Sequence, residues 1–155
     1  MKKLLSLFII LIVFNSCGYK VVTQNQRNNF KILQIKTSGD NKVNFYIKNK
    51  LSFNSNDQQT SPIILEIIST KKKAIKEKNI KNEITKYQVT ISVKVKLNLI
   101  EKGVINEFSV SDSNDYDVGD IHSQTLRNEK KTTRLLTENI TDDLINKVVL
   151  VINDN

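Results

Sequence analysis

Within Tyr87–Ile100 apolar and polar residues alternate without interruption as far as Leu99: Val89, Ile91, Val93, Val95, Leu97 and Leu99 are separated by Thr90, Ser92, Lys94, Lys96 and Asn98. A period of two over that length predicts a long strand with one buried and one wet face. Glu101-Lys102-Gly103 reads as a turn, and Val104–Val110 as the strand that pairs back in a hairpin. Upstream, Ile63, Leu65 and Ile67 alternate behind Pro62, with Ile64 and Ile68 on the opposite side. Proline at a first strand position loses no needed ladder bond, so Pro62 opens a strand that can continue through Lys71–Ile75. Phe30–Ile35 is a further short strand, closed by Thr37–Asp40.

Two segments carry a helical period. Val43, Tyr46, Ile47 and Leu51 share one helical face, with Ser38 or Asp40 positioned to cap its start. Leu136, Ile140, Leu144, Val148 and Val151 recur at helical spacing within Arg127–Ile152, where no proline interrupts them. Asn54–Ser61 and Glu77–Glu83 read as polar connections, and the acidic stretch Ser111–Asp120 as a loop. The predicted order is β-α-β-β-β-α. The predicted architecture is α+β, a single mostly antiparallel four-stranded sheet covered on one side by two helices.

The first residues read differently. Lys2 and Lys3 precede an apolar run, Leu4–Phe14, and Ser16 stands before Cys17, the chain's single cysteine. A charged start, a short apolar core and a small residue at the cut make a signal peptide. The run is too short for a membrane-spanning helix, which needs roughly 20 residues. A cysteine at that junction, followed by Gly18, is the position at which bacterial lipoproteins are cut and acylated. Phe14 stands where Leu or Val is usual in that box, and Asn15 where a small residue is usual. Acylation also accounts for an exported chain with one thiol, and two or more acyl chains hold a protein on a membrane at about 0.8 kcal/mol per buried methylene. The absence of an aspartate after Cys17 points to the outer membrane, on its periplasmic face. The expected organisation is a signal peptide over 1–16, a lipidated cysteine and tether over 17–29, and one domain over 30–155.

The formal charge of +8 falls to +6 once Lys2 and Lys3 are removed, and all but Arg27, Arg127 and Arg134 of the basic residues are lysine. Export excludes nucleic acid as the partner of this charge. Phospholipid headgroups and the phosphates of lipopolysaccharide are the anions an envelope protein meets. A chain this rich in Lys, Asn and Ile also carries the mark of AT-rich coding, which by itself produces a basic balance. The one dense basic cluster is Lys71, Lys72, Lys73, Lys76 and Lys78. It reads either as a candidate ligand site for lipid A phosphates or as a solvated strand end.

No constellation for catalysis emerges. His122, the single histidine, adjoins Asp120 and Ser123, but no Gly-x-Ser-x-Gly turn occurs to present a nucleophile. Asp112, Asp115, Asp117 and Asp120 fail the calcium-loop pattern, since Gly119 and Leu126 fall out of place when counted from Asp115. One cysteine and one histidine rule out a structural zinc site. Gly18, Gly39, Gly103 and Gly119 are isolated, so no phosphate-binding loop exists. No catalytic residue, no metal and no cofactor is expected.

The start at Cys17-Gly18-Tyr19, the order of elements and the long strand resemble the lipopolysaccharide-assembly lipoprotein family, the lipoprotein partner of the outer-membrane translocon barrel. Phe108–Val110, Tyr116 and Leu135–Val151 fill the places of that family's last strand, the aromatic at its end and the C-terminal helix. The family's early proline and its helix alanines are missing here. The resemblance implies a non-enzymatic plug that sits in the β-barrel, helps it assemble and touches lipopolysaccharide. An alternative is an envelope lipoprotein accessory to a lipid or solute transport system.

Overall fold

A computed structural model describes residues 30–56 and 61–154. Cys17 and the tether lie outside the described residues. The elements are β1 (Lys31–Gly39), α1 (Asn41–Asn54), β2 (Pro62–Lys78), β3 (Ile84–Leu99), β4 (Val104–Asp117) and α2 (His122–Asp154). This is the α+β order expected. The four strands form one sheet in the order β1-β2-β3-β4. The β2-β3 and β3-β4 pairs are antiparallel, and β1 is parallel to β2. Parallel pairing needs a crossover, which α1 supplies. Both helices lie on one face and touch each other, α1 over β1 and β2 and α2 over β3 and β4.

The period-two pattern is obeyed closely. Ile63, Leu65 and Ile67 of β2 and Val89, Ile91, Val93, Val95, Leu97 and Leu99 of β3 are all buried beneath the helices. They pair in register, Leu65 with Leu97 and Ile67 with Val95. From above, Leu136, Ile140, Leu144, Ile145, Val148 and Val149 of α2 and Val43, Ile47 and Leu51 of α1 complete one core.

Among the described residues nothing covers the opposite face of the sheet, which is mainly polar. Ser92 and Ser111 share a hydrogen bond of 2.7 Å across β3 and β4. Lys36 pairs with Glu66 at 3.5 Å and Lys96 with Glu107 at 3.8 Å. Ile68 and Ile105 are the large apolar side chains half-exposed among them.

Five boundaries depart from expectation. β1 runs on to Gly39, because Lys36 to Gly39 are held in register against Glu66 to Ser69 of β2, so Thr37–Asp40 does not close it as a turn. β2 and β3 extend further, so the polar connection between them shrinks to a tight turn over 79–83, with Asn82 left-handed at φ 63°. The acidic stretch is strand through Asp117, because Asp112 to Asp117 are held in register against Ile91 to Lys86 of β3. Ladder bonds here override the turn preference of Ser, Asn and Asp. α2 begins at His122 rather than Arg127, so His122 is an exposed first helical residue. Tyr46 is only half-buried, and Asn44 takes the inward position of α1, donating its Nδ2 to the Ser38 carbonyl at 3.0 Å. Of the two cap candidates Asp40 is the cap: its Oδ1 accepts from the Lys42 and Val43 amides, both at 3.0 Å.

Candidate functional site

Strand alternation divides the basic cluster. Lys71 and Lys73 stand opposite Ile91 and Val89 on the helix-covered face, and Lys72 stands opposite Thr90 on the open face. Lys78 donates to Asn82 Oδ1 at 2.9 Å in the turn, and Lys76 lies 4.0 Å from Asp115. The five lysines therefore do not form one surface.

Lys71 and Lys73 are organised by Glu129, in the second turn of α2. The Glu129 carboxylate receives Lys73 Nζ at 2.8 Å, Lys71 Nζ at 3.4 Å and the Tyr116 hydroxyl at 2.9 Å. Lys73 Nζ also lies 4.1 Å from the centre of the Tyr87 ring and 5.3 Å from that of Tyr116, within cation-π range. The two rings stack 5.7 Å apart. One carboxylate thus ties β2 and β4 to the start of α2. Asn128, which donates to the Asp117 carbonyl at 2.9 Å, and Thr125, which accepts from the Gly119 amide at 3.0 Å, hold the same corner.

The electrostatics follow from this geometry. The Lys73 hydrogen bond holds the Glu129 carboxyl below its ordinary value against opposing desolvation, with Tyr116 and Lys71 adding to the effect. Desolvation pushes the Tyr116 hydroxyl up, and the Glu129 carboxylate beside it acts in the same direction. Burial lowers Lys73, but its contacts with Glu129 and Tyr116 outweigh that and leave it raised. A depressed carboxylate contributes stability that is present above its unfolded value, about 4.3, and lost as pH falls through the folded value. The raised Lys73 and Tyr116 contribute stability that is present below their unfolded values and lost as pH rises through the folded ones. Glu129→Gln should therefore lower the melting temperature at neutral pH, by an amount equivalent to roughly 1–3 kcal/mol. The decline of melting temperature on acidification below about pH 4.3 should flatten with it. An unchanged acid limb would show that the Glu129 carboxylate does not hold this corner.

Beside this corner a groove of about 450 Å³ runs between α1 and the first half of α2. Lys42, Lys71, Lys130 and Arg134 line it together with Val43, Tyr46 and Leu126, and Glu129 supplies its one carboxylate. Arg134 pairs only loosely with Glu138, at 3.8 Å on an exposed helix face. Lys42, Lys130 and Arg134 carry no sequence motif. They meet only because the crossover helix is laid beside the C-terminal one. Among the described residues no three metal-ligating side chains come together, and the aspartates 112, 115 and 117 are spread along β4.

A sheet of order β-α-β-β-β-α with both helices on one face, a groove between them and a charged clamp at one corner defines the class of this protein by fold. No protein-family model and no curated protein matches the sequence. Among solved structures the chain is similar to rare lipoprotein B from Shewanella oneidensis, with a TM-score of 0.54 and 14% identity over 79% of this chain and 97% of that one. It is similar also to a protein of Caulobacter crescentus assigned to the lipoproteins, with a TM-score of 0.53 and 11% identity over 84% and 94%. At such identities the likeness is one of fold. It spans nearly the full length of both.

Proposed function

We propose that the chain is an outer-membrane lipoprotein, anchored through acylated Cys17, that plugs the lipopolysaccharide translocon barrel and assists its assembly. The observation that carries this reading is the shape and polarity of the domain. It is a small sheet-and-helix body whose uncovered face is lined by serine hydroxyls and lysine-glutamate pairs, and barrel lumens are polar. The fold shared with rare lipoprotein B supports it. So does the resemblance of the Cys17 start and element order to the lipopolysaccharide-assembly lipoproteins. The role is structural and carries no chemistry. Direct contact with lipopolysaccharide belongs to the same reading, with Lys72, Lys76 and Lys78 the members of the basic cluster that stand away from the Glu129 clamp.

Purification of the full chain from membranes in mild detergent tests this proposal. A large β-barrel should accompany it, and mass spectrometry should find the mature N-terminus at an acylated Cys17. Cys17→Ala should release the chain from the membrane without unfolding it. Co-purification with an inner-membrane ATPase complex would favour the transport-accessory reading instead. An unmodified Cys17 thiol would remove the anchor on which both readings depend.

A further inference from the structure

We propose that the groove between α1 and the first half of α2 binds a singly acylated anionic phospholipid. Its phosphate is held by Lys42, Lys130 and Arg134, and its chain lies along Tyr46 and Leu126. Charge complementarity is the first argument. Lys42 and Lys130 have no carboxylate within ion-pair distance among the described residues, and Arg134 has only the loose contact to Glu138. The groove's one carboxylate, Glu129, is occupied by Lys71, Lys73 and Tyr116, so it does not repel an anion. Lysines beside an arginine fork suit a phosphate monoester.

The second argument is the lining. Apolar surface predominates in the groove, and Leu126 is left half-exposed there. Size is the third argument. At about 450 Å³ the groove falls in the lower part of the range for ligand pockets, about 300–1,000 Å³. That suits one hydrocarbon chain and its head, whereas lipid A carries several chains. The inference does not depend on the barrel partner, so it survives a failure to find one.

The test uses the full chain purified from membranes and a lysophosphatidic acid bearing a photoactivatable diazirine in its acyl chain, at concentrations below micelle formation. Cross-links should map to the segments around Val43–Tyr46 and Leu126–Thr133. Lys130→Gln with Arg134→Gln should reduce labelling about tenfold at unchanged circular dichroism, and labelling of the wild type should fall as salt rises. Leu126→Glu, at a half-exposed position that does not threaten folding, should also suppress it. Lys72→Gln with Lys78→Gln should leave it intact. A monoacylglycerol with the same chain and no phosphate should label weakly. Labelling spread over the open sheet face, or unaffected by the groove variants, would overturn the proposal. Displacement by lipopolysaccharide at lower concentration than by unlabelled lysophosphatidic acid would overturn it too, by assigning the groove to a larger lipid.

Discussion

Val93→Asp should leave the chain unable to fold. Val93 is fully buried in the middle of β3, flanked by Ser69 on β2 and Val110 on β4 and roofed by the helices. A carboxylate placed there would have no paired cation, and burying an unpaired charge costs far more than burying a hydrogen-bonded polar group. Against a total stability of about 5–15 kcal/mol, that one change is enough. Lys94→Asp, one residue on, reverses a charge on the open face and should shift stability by less than about 0.5 kcal/mol. Thermal melting followed by circular dichroism distinguishes the two. Equal melting of the variants would mean that β3 does not present alternate faces to core and solvent.

The second large effect belongs to Gly39. It ends β1 with φ at +99°, and a methyl group added there would lie 1.8 Å from the carbonyl oxygen of Ser69. That carbonyl accepts the Asp40 amide at 3.1 Å, and the Ser69 hydroxyl donates back to the Asp40 carbonyl at 3.2 Å. Asp40 in turn caps α1. Gly39→Ala would therefore have to adopt a left-handed conformation, at about 1–2 kcal/mol, and break contacts of about 0.5–1.5 kcal/mol each. The expected loss is about 3 kcal/mol or more. Gly103 provides the control. It too is left-handed, at φ +62°, but nothing lies within 4 Å of an added methyl. Gly103→Ala should lose only the conformational part. If the two alanine variants lose the same stability, the close approach of Gly39 to β2 is not what requires glycine there.

The sequence disclosed the fold wherever burial demands a period. β3 reads at once because each of its alternate residues from Val89 to Leu99 meets a helix. The C-terminal helix reads because α2 covers β3 and β4 along its second half. The first turn of α2 and the far half of β4 were illegible for one reason: at that corner helix and sheet meet through polar groups, Glu129, Asn128 and Thr125, rather than through apolar side chains. There the inward positions Asp112 and Asn114 need not be apolar, and only Val110 and Tyr116 mark the strand. Asn44 hid the true face of α1, since an inward amide breaks the apolar pattern although its Nδ2 has a backbone partner.

The site was legible in parts. Lys71 to Lys78 stand out as a charge run, but a run in sequence becomes two faces in a strand, so adjacent lysines part company. Glu129 gave no signal, because its partners Lys71, Lys73 and Tyr116 are brought to it by strand pairings that no local pattern encodes. The groove residues Lys42 and Lys130 belong to different helices and meet only through the crossover.

That crossover sets an order of assembly. β2, β3 and β4 form a meander of neighbours joined by tight turns, so each pairing closes a short loop. β1 can pair with β2 only after α1 and the connection behind it have been gathered in, and closing a longer loop costs more chain entropy before any contact compensates it. β1 is also an edge strand, with one neighbour and most of its side chains in water. On topology the meander and α2 can assemble without β1, and β1, an edge strand with one neighbour, is expected to dock last and detach first. A pull applied to the chain ahead of β1 would be spent in freeing one edge strand while the three-stranded body stays intact.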